Sequence, residues 1–228
     1  GWFAILISGF GYKLMPMFYL SHGYPNRPEK WILSILNAAV LLGAGFSLAG
    51  LAKFGAMAGL FLFSIAMAMF SYHARNIKKK KHKPNPGYGI KFSVYLINGV
   101  VVVLIAAFFA FLLFPQLAGK AETLWIAGWL YLWGFIGLTI LSYLSKIVPF
   151  LWWTYKYGSL IGKQKTPLLA DLINDKMVRY GLFAIVAALF VLLLGALVQI
   201  GWLLSVGGIL VALCAIFYMI QISLVFTR

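Results

Sequence analysis

Long apolar runs separated by polar breaks leave this chain one kind of fold. Seven such runs lie near residues 2–20, 31–51, 54–73, 90–114, 123–153, 178–200 and 202–226. At 1.5 Å rise per residue, each is long enough as a helix to cross a hydrocarbon core of about 30 Å. The breaks carry residues that stop helices: Gly23-Tyr24-Pro25-Asn26-Arg27-Pro28, Lys83-Pro84-Asn85-Pro86-Gly87, residues 115–120 and the polar stretch 155–176. The shortest breaks, at 51–53 and 199–201, predict tight hairpins. The expected fold is an all-α integral membrane protein of seven transmembrane helices, with residues 1–228 forming a single transmembrane helical domain.

Charge tests this count. The chain is 63% hydrophobic and only 10% charged, with a mean hydropathy of +0.95, outside the range of soluble domains. Its net charge of +15 would suggest nucleic acid as a partner in a soluble protein. Here the charges flank apolar runs, so they speak for membrane orientation and no nucleic-acid partner is expected. If the seven runs alternate, one side receives the loops after the first, third and fifth runs and the C-terminus. Of the 19 lysines and arginines, all but Lys13, Lys53, Lys120 and Lys146 fall there. The positive-inside rule then makes the 74–91 and 155–176 loops cytoplasmic, with the first helix running from outside to inside. An even number of helices would scatter the charge over both faces.

Two of those four lysines belong to a repeated phrase. Tyr12-Lys13-Leu14-Met15-Pro16-Met17-Phe18 returns as Ser145-Lys146-Ile147-Val148-Pro149-Phe150-Leu151, with lysine three residues before proline in both copies. The offset is too long for a solenoid repeat and suits several membrane helices. The first copy lies on the first run and the second on the fifth, which makes a four-helix internal repeat. Setting Lys13 against Lys146 places Gly1 opposite Gly134, well inside the fifth run. The chain is therefore expected to lack a native N-terminal part. No basic n-region or small-residue cleavage site opens it, so no signal peptide is expected.

This arrangement resembles the heme-copper oxidase subunit I superfamily, whose twelve helices fall into three groups of four. The seven runs would correspond to its helices six to twelve. At the level of motifs, Gly9-Phe10-Gly11-Tyr12-Lys13-Leu14-Met15-Pro16-Met17-Phe18 is similar to a phrase in small subunit-I-like bacterial membrane proteins akin to the NnrS group. So are Gly134-Phe135-Ile136-Gly137-Leu138-Thr139-Ile140 and Lys146-Ile147-Val148-Pro149-Phe150-Leu151-Trp152. The resemblance implies a bacterial inner membrane, a respiratory or nitrogen-oxide-related redox system, and other membrane subunits as partners.

One departure bears on cofactors. In the redox-active family, histidines in the outer halves of these helices hold hemes and copper. Here His22 follows the first run on the inner side, and His73 and His82 flank a lysine run. The outer half of the fifth run offers Trp125, Trp129 and Trp133, and indole is not a heme ligand. No cofactor is expected in this segment, and heme is possible only through residues outside it. Met15, Met17 and His22 contain copper-compatible atoms, but the two methionines are two residues apart and point to different helix faces. The single cysteine, Cys214, excludes an intrachain disulfide or a multi-cysteine metal site.

The remaining candidates each have a plain reading. Trp125, Trp129 and Trp133 recur every four residues and form a stripe that is an aromatic belt or, alternatively, a quinone platform. Lys13 and Lys146 lie near the inner boundary, where snorkelling to headgroups suffices. The functional alternative is a polar pocket with Tyr12 for an anion, a lipid phosphate or a quinone carbonyl. Each proline frees the carbonyl four residues before it, at Tyr12 and Ser145. Lys78, Lys79, Lys80, Lys81 and Lys83 form a polybasic patch expected to contact anionic lipids.

Asp171 and Asp175 suggest a short amphipathic interfacial helix paired to Lys176 and Arg179. Asn37, Asn98, Gln199 and Gln221 read as helix–helix hydrogen bonders. Three function classes follow. The chain is a subunit-I-like redox protein with its cofactors elsewhere, a cofactor-free assembly subunit, or a transporter or channel. The lack of intramembrane acids weighs against transport.

Overall fold

The computed structural model describes residues 2–21, 27–82 and 85–227. His22 and Lys83 fall outside the described residues. The long helices are α1 (Trp2–Tyr19), α2 (Arg27–Leu48), α3 (Ala52–Lys79), α4 (Tyr88–Leu113), α5 (Ala121–Trp129), α6 (Leu138–Tyr157), α7 (Asp175–Val198) and α8 (Gly201–Ser223). A π-helical segment, Leu130–Gly137, lies between α5 and α6, so the fifth apolar run is helical throughout. Among the described residues there is no strand. Each apolar run thus became a helix, and the chain is an all-α integral membrane protein.

One of the seven expected spans falls short of a full crossing by length and hydropathy. Six helices are long and apolar enough to cross a membrane, and α1 is not among them. The cause is local: α1 has 18 residues, about 27 Å, and spends several on Lys13, Pro16 and tyrosines.

Two compact units make up the chain, Gly1–Pro86 with Val94–Ile136, and Gly87–Ser93 with Gly137–Arg228. In the first, α2 and α3 form a hairpin whose corner is a Schellman turn. Leu51 N–H donates to the Phe46 carbonyl at 2.8 Å, and Gly50 takes φ +77°. The helices then pack backbone to backbone. A Cβ at Gly55 would lie 2.7 Å from the Gly43 carbonyl, and one at Gly59 would lie 3.3 Å from that of Ala39. Without a hydrophobic drive between helices in lipid, such close approach of small residues is what holds them. Helix α1 packs on this hairpin through Ala4, Ile7, Ser8, Gly11, Tyr12, Met15 and Phe18, a stripe of helical period.

The second unit repeats this plan. Helix α6 is followed by the hairpin α7–α8, whose two-residue corner puts Gln199 in the left-handed region at φ 57°. A Cβ at Gly207 would lie 2.6 Å from Leu192 Cα, and one at Gly195 would lie 2.8 Å from the Leu204 backbone nitrogen. Both tight hairpins occur where the short breaks predicted them. Polar side chains mostly bond their own helix: Ser142 donates to the Leu138 carbonyl, Ser8 to that of Ala4 and Thr154 to that of Phe150. This removes unsatisfied hydroxyls from hydrocarbon.

Candidate functional site

Both copies of the repeated phrase are helical through their prolines, Pro16 in α1 and Pro149 in α6. Their surroundings differ. In α1, Tyr12 is buried, its ring 5.6 Å from Phe70 and 6.3 Å from His73. Lys13 on the neighbouring face is exposed. In α6, the residue matching Tyr12 is Ser145, fully buried and donating to the Ser142 carbonyl at 2.7 Å. A Cβ at Gly89 would overlap Ser145 Oγ and the Ser142 carbonyl, so the start of α4 rests directly on this face.

Lys146 is covered as a result. Its side chain lies on Gly87, where φ is +102° and a Cβ would overlap the lysine Cε and Nζ. Its ammonium stands 3.8 Å from Asp175 Oδ1, with the two side chains 13% and 37% exposed. The same carboxylate oxygen accepts from the Tyr88 N–H at 2.6 Å. Tyr88 opens α4, so Asp175 satisfies one of that helix's orphan donors and meets its positive end. One carboxylate at the start of α7 thus ties α6 and α4. Arg179, one turn further along α7, sits over the rings of Tyr88 and Phe183 at 5.6 and 5.9 Å.

This geometry revises two expectations. The sequence pairs Asp175 with Lys176 and Arg179, whereas its bonded partners are Lys146 and the α4 N-terminus. The 155–176 loop holds short 3₁₀ turns, Gly158–Leu160 and Leu169–Asp171, in place of an interfacial helix. Asp171 closes the second turn, accepting from the Leu168 N–H at 3.0 Å. Trp153 Nε1 donates to the Pro167 carbonyl at 2.7 Å and fastens the loop to α6.

The tryptophan stripe is interrupted. Trp125 and Trp133 are exposed and Trp129 is half-buried, and Trp133 falls in the π-helical segment, where the α-helical register no longer holds. The amide residues divide. Asn98 accepts from Ser71 at 2.6 Å and links α3 to α4, while Asn37 donates to the Leu33 carbonyl of its own helix. Gln199 makes the hairpin corner, and the Gln221 amide is buried with no hydrogen bond among the described residues.

In the polybasic patch, α3 runs on through Lys79, while Lys80, Lys81 and His82 follow as an exposed turn. Lys78 turns away: its ammonium lies 4.7 Å above the Tyr95 ring. The α2–α3 hairpin also carries an open groove of about 450 Å³, lined by Ala39, Gly43, Gly55, Gly59, Phe63 and Tyr131 among others. Its lining bears no charge, so it suits hydrocarbon.

His73 sits near the C-terminal end of α3, between the rings of Tyr12 and Tyr72, and His82 is in the turn beyond that helix. No cluster of three His, Cys, Asp or Glu exists among the described residues. No family model, curated protein or solved structure matches this chain.

Proposed function

We propose that this chain is a helical scaffold segment of a subunit-I-like membrane protein in a respiratory or nitrogen-oxide-related redox system, with redox cofactors held outside these residues. The observation that carries this reading is the repeated plan of the two units. In each, a lysine–proline helix is followed by a hairpin closed backbone to backbone on glycine. Duplicated helical groups of this kind are what the subunit I resemblance implies. In this reading α1 is a seventh span, and the basic loops face the cytoplasm of a bacterial inner membrane. Apolar faces such as Val102, Val103 and Phe109 of α4 meet lipid or other subunits of the complex.

The test is a reduced-minus-oxidised visible spectrum of the membrane complex purified through this chain. Soret and α bands that survive the double change His73→Ala and His82→Ala are expected. A complex without a redox chromophore would overturn the redox assignment, and bands lost in the double variant would place the cofactor within this segment.

The second reading, a cofactor-free assembly subunit, draws on the Lys146–Asp175 pair. That pair spends the most buried charge on joining helices. Stoichiometric association with other membrane subunits, without any chromophore, is its signature.

A further inference from the structure

Helix α3 is longer than the membrane requires. Its 28 residues extend about 42 Å, against a hydrocarbon core of about 30 Å. Counted from Ala52, about 20 residues reach the far boundary near Ser71, and the turns from Tyr72 onward stand at headgroup level. The faces of this extension are sharply divided. Ser71, Ala74 and Ile77 are buried, while Tyr72, Arg75 and Lys79 are exposed at i, i+3 and i+7. An aromatic ring, a guanidinium and an ammonium therefore line up in that order along one outward stripe.

Among the described residues the stripe has no anion. The whole sequence holds four acidic residues, and neither Arg75 nor Lys79 makes an ion pair among the described residues. Lys78 is accounted for differently. Its ammonium lies over Tyr95 and 3.5 Å from that ring's hydroxyl, so it belongs to the α3–α4 packing. Favourable interaction with the helix C-terminus explains basic residues in the last turn. It does not explain Arg75, a turn further in and next to the boundary tyrosine.

We propose that Tyr72, Arg75 and Lys79 form a binding site for the headgroup of an anionic phospholipid. A guanidinium presents a planar fork that matches two oxygens of a phosphodiester. Tyr72 sits where amphipathic rings mark the membrane–water interface and covers the glycerol end of the lipid. Lys79, one turn beyond Arg75, meets the surface potential of the anionic leaflet, with Lys80 and Lys81 behind it. Arg75, which the run of lysines overshadows in the sequence, is the specific member of the site, and Lys78 is not part of it.

Native mass spectrometry of the full chain in detergent tests the site, with dioleoyl phosphatidylglycerol as probe. Dioleoyl phosphatidylcholine serves as the zwitterionic control and inorganic phosphate as the free anion. Arg75→Gln with Lys79→Gln is expected to weaken phosphatidylglycerol retention roughly tenfold. Lys163→Gln with Lys165→Gln removes the same charge from another loop and is expected to change it less than twofold.

Arg75→Lys keeps the charge without the fork and is expected to fall between wild type and the double variant. Helicity by circular dichroism and a single gel-filtration peak certify each variant. If the double variant fails that check, Arg75→Lys alone decides, and retention equal to wild type overturns the site. Equal retention in the two double variants, equal retention of phosphatidylcholine, or displacement by millimolar phosphate also overturns it.

Discussion

Helices α1 and α6 carry one phrase and use it differently. Each has a lysine three residues before an internal proline, yet Lys13 is exposed while Lys146 is covered and ion-paired. The residue before the lysine accounts for the difference. Tyr12 fills its side of α1 with a ring that packs on Phe70. Ser145 leaves the corresponding place on α6 nearly empty, and residues 87–89 come in against it backbone first. Once they have, Lys146 lies beneath Gly87, and a cation so covered is costly without a counter-ion. Asp175 supplies it and caps α4 with the same oxygen. The shared phrase thus sets where each lysine stands on its helix, and the volume of one neighbour goes with what it does.

The largest test of that contrast removes the carboxylate. Asp175→Ala strips the α4 N-terminus of its acceptor and takes the carboxylate away from a mostly buried ammonium, for a loss of about 3 kcal/mol. Thermal unfolding in detergent reads this directly. Adding Lys146→Met to Asp175→Ala is expected to recover about 1 kcal/mol or more, because the buried charge that lost its carboxylate is then gone. Strict additivity of the two changes would break the claim that they form one unit.

Next in size is a test of what the two units share. Gly207→Ala places a methyl against Leu192 backbone atoms that have no flexible end to move, and a loss of about 2 kcal/mol is expected. Gly55→Ala in the other hairpin meets the Gly43 carbonyl and is expected to cost a similar amount. Gly208→Ala and Gly45→Ala have open space and serve as neutral controls. A large loss in one hairpin alone would show that the common plan is not supported by common packing.

Smaller again is the comparison of the lysines themselves. Lys146→Met leaves Asp175 its bond to the Tyr88 N–H and removes the ion pair, about 1–2 kcal/mol at this depth. Lys13→Met is expected to change stability by less than about 0.5 kcal/mol, as exposed substitutions do. Equal effects would erase the distinction between the two copies.

Much of the fold was legible because hydropathy and helix length are properties of single segments. The run expected at 178–200 is α7 at Asp175–Val198, and the hairpin corners fall at 49–51 and 199–200. What escaped depends on neighbours or on uniform composition. The π-helical segment lies in Leu-Tyr-Leu-Trp-Gly-Phe-Ile-Gly, where a change of helical pitch leaves no mark on an all-apolar stretch. The third run ends at His73 by hydropathy, but α3 continues to Lys79, since Arg and Lys favour helix and tolerate water. Asp175 has bases beside it in the sequence, and these suggested local pairing. Its actual partners come from residues 88 and 146, which hydropathy orders along the chain without saying which face meets which.

The two hairpin corners carry the smallest expected effect, and they ask whether the copies are equally well made. The corner after α2 has glycine in the left-handed region at Gly50, φ +77°. The corner after α7 has Gln199 there at φ 57°, with its N–H bonded to the Gly195 carbonyl. A side chain in that region is strained, and glycine is not. Gln199→Gly is therefore expected to stabilise the second hairpin by a few tenths to about 1 kcal/mol, and Gly50→Ala to destabilise the first by about 1 kcal/mol. Both are read as shifts in the thermal unfolding midpoint in one detergent. If Gln199→Gly instead loses stability, the glutamine side chain holds that corner by a contact of its own. The two hairpins would then be alike in backbone only.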